Sequence, residues 1–444
     1  MAILSSVQRS YQQIIAPIQP QTLYIACSGG RDSMALLFAC HQLQLPIQVI
    51  HINHRIQAIS DSWQQLVEQF CQQRHTPFHS VALTWDKPLS SINEQDARQA
   101  RYQAMLSITG ANAIIATAHH ANDQVETLLL NLCQGTGING LVGMNEFSEQ
   151  QEFGEPVWLW RPLLNVSREQ ISDFVQTHHL PYVDDPTNAV ATIDSGNQRA
   201  FLREYVMPLL VTRFDNVIGN MRRTQTNLTE AREIINEQMV QDLAHCQIGE
   251  DDDYQQRLSI TQLQALSAAR RYQLLHHWVK GLQKFAPARQ IIEQIDALIL
   301  SINPEQQAII GWQGYQVRRY RNTLYRLSPS YVVLLHDSTN FNPLLLKTPK
   351  LPPSYPQVLP DSYLPDNYLP DNYQVRRLQA NEKLQRWGYR YHEPFKKICQ
   401  RLGVPSWERP LARVVVDSDT QRDMALLLPS HWLWLAAADE FVIK

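Results

Sequence analysis

The stretch Leu23-Tyr-Ile-Ala-Cys27-Ser-Gly-Gly-Arg-Asp-Ser33-Met-Ala-Leu-Leu-Phe-Ala-Cys-His-Gln-Leu43 decides the fold. A five-residue apolar run (23–27) stops at adjacent glycines, and a helical period resumes over 33–43, so the segment reads as strand, turn and helix. Binding a phosphate needs backbone N–H groups turned toward one point, and only glycine lets the chain approach that closely. Gly29 and Gly30 supply the close approach at the start of a helix, whose N-terminus faces the anion. Ser28 and Ser33 add hydroxyl donors, and Arg31 lies in the same turn. Asp32 is out of place for anion binding alone, because its carboxylate would repel phosphate. It makes sense with Mg²⁺ between them, an ion that takes carboxylate and phosphate oxygens together. The plain alternative is a tight turn with a Ser N-cap and an early Asp. The apolar strand ahead of Ser-Gly-Gly-x-Asp-Ser favours a nucleotide site instead.

Two better-known phosphate motifs are set aside. The pattern GxxxxGK[ST] is absent. GTGING (135–140) fits GxGxxG, but it follows a helical stretch rather than a strand, so it reads as a helix stop and loop.

Working outward, residues 47–52 are β-rich, 63–73 amphipathic, 81–83 a short strand and 92–108 a polar helix. Residues 113–117 are apolar again, and 123–132 resume a 3.6-residue period. This alternation predicts an α/β domain over 1–215, a parallel sheet with helices on both faces. Ligands on such sheets sit at the carboxyl ends of the strands. Residues 216–330 read as a mainly helical domain that closes on a strand pair over 307–327, around an Arg-Asn turn. A proline-rich stretch with LPDSY-LPDNY-LPDNY (359–373) reads as a linker over 331–373. Residues 374–444 read as a small basic α+β domain ending in the strands MALLL and WLWLAA.

The 444 residues are 44% hydrophobic and 18% charged, an ordinary globular composition for two or three domains. No apolar run is long enough to span a membrane. The N-terminus lacks the basic and apolar regions of a secretion signal. Six scattered cysteines without a CxxC pair fit buried thiols in a reducing compartment. A cytoplasmic protein is expected. Net charge is −3, so no global field draws it to nucleic acid, but between 376 and 413 ten Lys/Arg face three Glu. That window includes Lys396 and Lys397 and is a candidate RNA-phosphate surface.

The SGGRDS turn resembles the pyrophosphatase loop of the N-type ATP pyrophosphatases (the PP-loop superfamily), which cleave ATP between the α and β phosphates. Within that superfamily the whole chain resembles the bacterial tRNA(Ile)-lysidine synthases. The resemblance is carried in order by HINH (51–54), DARQARY (96–102) and TAHHANDQVETLLLNLCQGTGINGL (117–141). It continues through RPLL (161–164), DDPTN (184–188), NQRAFLREYVMPLL (197–210) and FKKICQRLGVPSWERP (395–410). Departures are Ala200 where the family usually has Asn, Arg55-Ile56-Gln57 where Gly-Leu-Arg is common, and Asn122 where many members have Asp.

The resemblance implies a Rossmann-like PP-loop ATPase domain followed by the two smaller ones. It also implies that Asp32 and Asp123 act as catalytic groups holding Mg²⁺. ATP would be held by Ser28, Gly29, Gly30, Arg31, Asp32, Ser33, His54 and Arg98. Arg101, His119, Arg199, Arg203, Lys396 and Lys397 would hold the remaining substrates. Those substrates would be tRNA(Ile) with a CAU anticodon and free L-lysine, joined as lysidine after ATP adenylates the wobble cytidine. Rival readings are another PP-loop enzyme modifying tRNA or a nucleotide, and a tRNA-binding protein without catalysis. The missing paired cysteines argue against tRNA thiolation. A homodimer is left open.

Overall fold

The computed structural model describes residues 2–55, 60–85, 94–150, 156–183, 198–249, 255–281, 283, 286–301, 308–336, 373–379, 381–429 and 431–436. They form two compact units, 1–237 and 238–444.

The first unit opens with α1 (Ala2–Ser10), a helix with no distinct sequence signal, and then follows the expected alternation. Its elements are β1 (Leu23–Ala26), α2 (Arg31–Gln42), β2 (Ile47–Asn53), α3 (Ser60–Gln72), β3 (Phe78–Ala82), α4 (Glu94–Thr109), β4 (Ile114–Ala116) and α5 (Ala121–Cys133). A short α6 (Ile138–Leu141), β5 (Phe147–Gln150), β6 (Val157–Trp160) and α7 (Arg168–Thr177) come next. The unit closes on α8 (Gln198–Phe201), a π-helical turn over Leu202–Val206, α9 (Met207–Arg213) and the start of α10 (Val217–Cys246).

The sheet order is β3-β2-β1-β4-β6-β5, parallel except for β5 at the edge. Alternate residues of each strand feed opposite faces, as the period of two demands. Ile47 and Val49 of β2, Ile114 and Ala116 of β4 and Trp160 of β6 pack with α1, α2, α3 and α7. Ile50, Ile52, Ile115, Val157 and Leu159 pack with α4 on the other face. The α1 helix is fixed by its apolar residues Ile3 and Val7 and by Trp160 Nε1 donating to Ser10 Oγ at 2.7 Å. The strand order reverses between β1 and β4, which puts a topological switch point at their carboxyl ends.

In the second unit the helices α11 (Ile260–Ala265), α12 (Ala268–Lys280) and α13 (Arg289–Leu300) pack around Leu274, Trp278, Ile292 and Ile299. They sit with a four-stranded antiparallel sheet of order β7-β10-β9-β8, built from β7 (Gln255–Ser259), β8 (Ile309–Trp312), β9 (Tyr315–Tyr320) and β10 (Thr323–Leu327). The sequence suggested two of these strands. The Arg321-Asn322 turn between β9 and β10 lies where it was expected, with Arg321 at φ +53°. The segment read as a linker begins with α14 (Pro329–His336), which buries Tyr331 and Val332; residues 337–372, with the LPD repeats, lie outside the described residues.

The C-terminal part pairs β11 (Tyr373–Arg377), β14 (Arg413–Asp417), β15 (Asp423–Leu428) and β16 (His431–Trp434) in that order. A hairpin of β12 (Lys383–Gln385) and β13 (His392–Pro394) leads into α15 (Phe395–Leu402). No described helix is long and apolar enough to cross a membrane.

Candidate active site

Two helix N-termini meet at the switch point, because β1 runs into α2 and β4 runs into α5. Each N-terminus carries a partial positive charge, and at α5 the first N–H groups are already taken, Ala121 N by Val166 O and Asn122 N by His120 Nδ1, which leaves the α2 end as the one suited to an anion.

The first turn is held by its own atoms. Gly29 has φ +88°, a conformation that strains any residue with a Cβ, and a Cβ there would press on Val67 and Val183 at 3.3 and 3.4 Å. Gly29 O accepts from Val183 N at 3.0 Å, and Gly30 caps α2 in extended conformation. Ser33 Oγ donates to Gly30 O at 2.9 Å and lies 3.2 Å from Ser28 Oγ, which accepts from Gly30 N at 3.3 Å. Arg31 reaches across to α7, donating to Ser172 Oγ at 3.1 Å.

Asp32 stands in the first turn of α2, and His120, at the end of the β4 loop, caps α5. Its Nδ1 accepts from Asn122 N at 3.2 Å, while Asp123 Oδ2 accepts from His120 N at 2.9 Å, a reciprocal capping box. That cap fixes the neutral ring as the Nε2–H tautomer. The Nε2 atom lies 3.6 Å from Asp32 Oδ2 and 3.6 Å from Asp123 Oδ2. One buried imidazole edge therefore meets both carboxylates.

Burial alone would raise the Asp32 pKa. The contact with His120 and the charges of His120, Arg31 and Arg168 outweigh it, and the carboxyl is held below its usual value. For His120 burial alone would lower the pKa, but Asp32, Asp123 and Glu126 outweigh burial and raise it.

Asp123 is one of the two carboxylates expected from the sequence, whereas His120, which lies between them, carries no sequence signal of its own. Adjacent histidines point apart here, as expected of neighbours. His119 lies 2.9 Å (Nδ1) from Thr117 Oγ1, and burial pushes its pKa down to about 4, helped by the charges of Arg161, Arg199 and Arg98 and opposed by Asp123. Arg161, unread as a site residue, is 4% exposed and donates to Asn145 O and Ser148 Oγ. Arg98 stacks on the Tyr102 ring at 5.1 Å, and Arg101 is half-buried on the same helix.

His119 gives a pH prediction. Its folded pKa lies below the ordinary 6.5, so acid protonates the unfolded chain first. Stability should fall as pH drops from about 6.5 toward 4, with no contribution above that window. Urea midpoints of His119→Gln, which keeps a partner for Thr117, should fall less over this window than those of wild type. Identical pH profiles for the two proteins would refute the assignment.

Arg203 and Glu126 form the firmest pair near the site. Arg203 Nε and Nη2 meet Glu126 Oε1 and Oε2 at 2.8 and 2.9 Å, and Nη2 lies 3.7 Å from Asp123 Oδ1. Arg199, one turn earlier, donates to Thr127 Oγ1 at 3.4 Å, so both arginines anchor their helix on α5. Two departures from the family pattern have visible settings. Asn122 Oδ1 accepts from Arg168 N at 3.1 Å, joining the starts of α5 and α7, and Ala200 is buried. His54 follows β2, its carbonyl accepting from Trp85 Nε1 at 2.8 Å. Gln57, the DDPTN segment and Asn197 lie outside the described residues. The GTGING turn follows α5, with Gly135 at φ +68°, and leads into α6; no strand precedes it.

Among the described residues no three His, Cys, Asp or Glu gather closely enough to make an all-protein metal cage. Mg²⁺ asks for less, one or two carboxylates with phosphate and water completing its shell. Asp32 and Asp123 fit that demand. Asp32 Oδ1 is buried without a hydrogen bond and lies 3.7 Å from Arg31 Nε, so this oxygen has no hydrogen-bond partner within the protein that an ion would have to displace. In the second unit, Lys396 and Lys397 are exposed on α15 while the next two residues, Ile398 and Cys399, are buried.

Comparison with known proteins agrees with the arrangement. A profile described as the PP-loop domain matches residues 3–210, and one described as the TilS substrate binding domain matches 258–325. The tRNA(Ile)-lysidine synthase of Psychrobacter sp. (strain PRwf-1) is 34% identical over 357 residues, which cover 74% of this chain and 66% of that protein. The chain thus spans just under two thirds of that relative's length. The same-named protein of Edwardsiella ictaluri is 31% identical, with 87% of this chain and 86% of the relative covered. That of Haemophilus ducreyi is 29% identical, with 95% and 97% covered. With a PP-loop turn at its switch point and relatives aligned along most of its length, the chain belongs to the tRNA(Ile)-lysidine synthase family.

Proposed function

We propose that the protein is a carbon–nitrogen ligase that uses ATP to join free L-lysine to C2 of the wobble cytidine in a tRNA(Ile) with a CAU anticodon. The product, lysidine, would change the codon read from AUG to AUA. The observation that carries this reading is the meeting of Asp32 and Asp123 on His120 Nε2, beside the Gly29-Gly30 turn.

The chemistry needs a leaving group. A ring carbonyl oxygen leaves poorly, so it first attacks the α phosphorus of ATP, forming an O–P bond and expelling pyrophosphate. The lysine ε-amine then attacks C2, the C2–O bond breaks, AMP departs and the amine gives up its proton. The N–H groups at the start of α2 receive phosphate oxygens, and Ser28 and Ser33 present hydroxyls to them. Asp32 and Asp123 would hold Mg²⁺, which supplies positive charge against the charge growing on the phosphates. Arg203, locked by Glu126, keeps Asp123 oriented. Arg98, Arg161 and Arg199 give the His119 side of the site a positive field suited to anionic substrates.

The test is direct. Purified protein incubated with ATP, labelled lysine and a CAU-anticodon isoleucine tRNA should fix label in RNA and release AMP in equal amount. Folded protein that binds the tRNA yet fixes no lysine would refute the proposal.

A further inference from the structure

The C-terminal part carries an exposed aromatic cluster that the ATP site does not use. Trp387, Tyr389 and Tyr391 lie in the loop between β12 and β13, with 46%, 40% and 58% of their surfaces in water. Six successive residues, 387 to 392, are exposed. Hydrating three large rings within five residues is unfavourable, and such patches on soluble proteins mark contact surfaces.

The loop is nevertheless ordered by its own bonds. Tyr389 N donates to Arg386 O at 3.0 Å, Gln385 Nε2 donates to Tyr389 O at 2.8 Å, and Gly388 takes the φ of +79° that the turn needs. The Arg386 guanidinium sits 4.4 Å from the Tyr389 ring centroid, and Tyr389 and Tyr391 meet edge to face at 5.9 Å. Below the loop, Leu384 is buried and Phe395 N donates to Glu382 O at 3.1 Å.

The surrounding charge selects the partner. The ten cations of this region are not equally free, since Arg376 is taken by Glu382 and Asp423, and Arg401 by Glu393. Lys383, Arg390, Lys396 and Lys397 are exposed and make no ion pair among the described residues. Exposed rings interleaved with free cations match a chain of phosphates bearing unstacked flat bases. Within a duplex the bases are already stacked on one another and covered, so unpaired nucleotides are the ones that offer successive faces to the rings.

We infer that the Arg386–Tyr391 loop is a stacking platform for unpaired RNA bases, giving the C-terminal part a hold on single-stranded nucleotides beyond phosphate attraction. The inference rests on the tRNA reading above, and it is tested apart from it.

The full-length protein is titrated with a single-stranded oligo(A) hexamer and with a blunt RNA duplex, across a salt series. Trp387→Ala and Tyr391→Ala should each weaken hexamer binding about 5- to 100-fold, leave duplex binding within about twofold, and keep the salt slope. Trp387→Phe should restore most of the loss. The pair Lys396→Ala and Lys397→Ala should weaken both probes and flatten the slope by about one to two. Wild-type hexamer affinity in the alanine variants, or equal loss toward both probes, overturns the platform. So does a change in self-association on Trp387→Ala, which would make the patch a contact between copies. Failure of the wild type to modify the CAU tRNA refutes the functional reading instead, whatever these titrations give.

Discussion

Replacing Asp32 by Asn is expected to lower AMP release about a thousandfold or more while tRNA affinity stays within about threefold of wild type. The change keeps size and polarity but removes one of the two carboxylates that face His120 Nε2, together with the negative charge proposed to hold a cation. Stabilising charge at a transferring phosphoryl group is commonly the largest catalytic contribution, and losing one such group costs about 10²- to 10³-fold or more. The binding arm decides the interpretation. If Asp32→Asn loses tRNA affinity in step with turnover, Asp32 is structural. Unchanged AMP release would place the chemistry elsewhere in the chain. Excess Mg²⁺ should partly rescue the variant if weakened ion binding is the cause.

The second large effect concerns folding. Arg203→Met leaves the Glu126 carboxylate, 2% exposed, without the cation that forks onto both its oxygens. Breaking a fully buried pair from one side costs about 3–5 kcal/mol. Because the Arg203 side chain is about a third exposed, water screens part of that, and about 2–4 kcal/mol is expected. Thermal unfolding of the first unit should drop by several degrees. Adding Glu126→Leu should recover most of the loss, since a buried pair replaced by apolar groups is often neutral. An Arg203→Met protein as stable as wild type would refute the pair's role. A double variant that is stable yet inactive would show that Arg203 also serves the site, through its 3.7 Å approach to Asp123.

The fold of the first unit was legible because its signals are local. The apolar run at 23–27, the paired glycines and the helical period after them correspond to β1, the turn and α2 with only small shifts at the ends. The β7 strand was not legible. Its sequence, QQRLS, buries only Gln255 and Leu258, and it is a strand because β10 lies alongside to pair with it.

The candidate site divides the same way. Asp32 stands out in the sequence as a carboxylate within a turn that reads as phosphate-binding. His120 does not, because its place between two carboxylates depends on β4 docking next to β1 and on the cap at the start of α5. The Arg203–Glu126 pair joins positions 77 apart in the chain, and spacing within one helix cannot reveal such a partner. The hydroxyl of Ser172 and the charge of Arg168 came from α7, which carries a readable S-x-x-Q capping box but nothing that points to Asp32.

The parallel pairing of β1 with β4, Leu23 against Ile114, has a consequence for the protein during its synthesis. The nucleotide turn emerges from the ribosome early, but its partner carboxylate and capping histidine are made much later. They reach the turn only once a long crossover has closed. Until then the nascent chain has a phosphate-shaped loop and nothing opposite it. The meeting of Asp32, His120 and Asp123 is therefore a property of the closed sheet and of no shorter stretch of the chain.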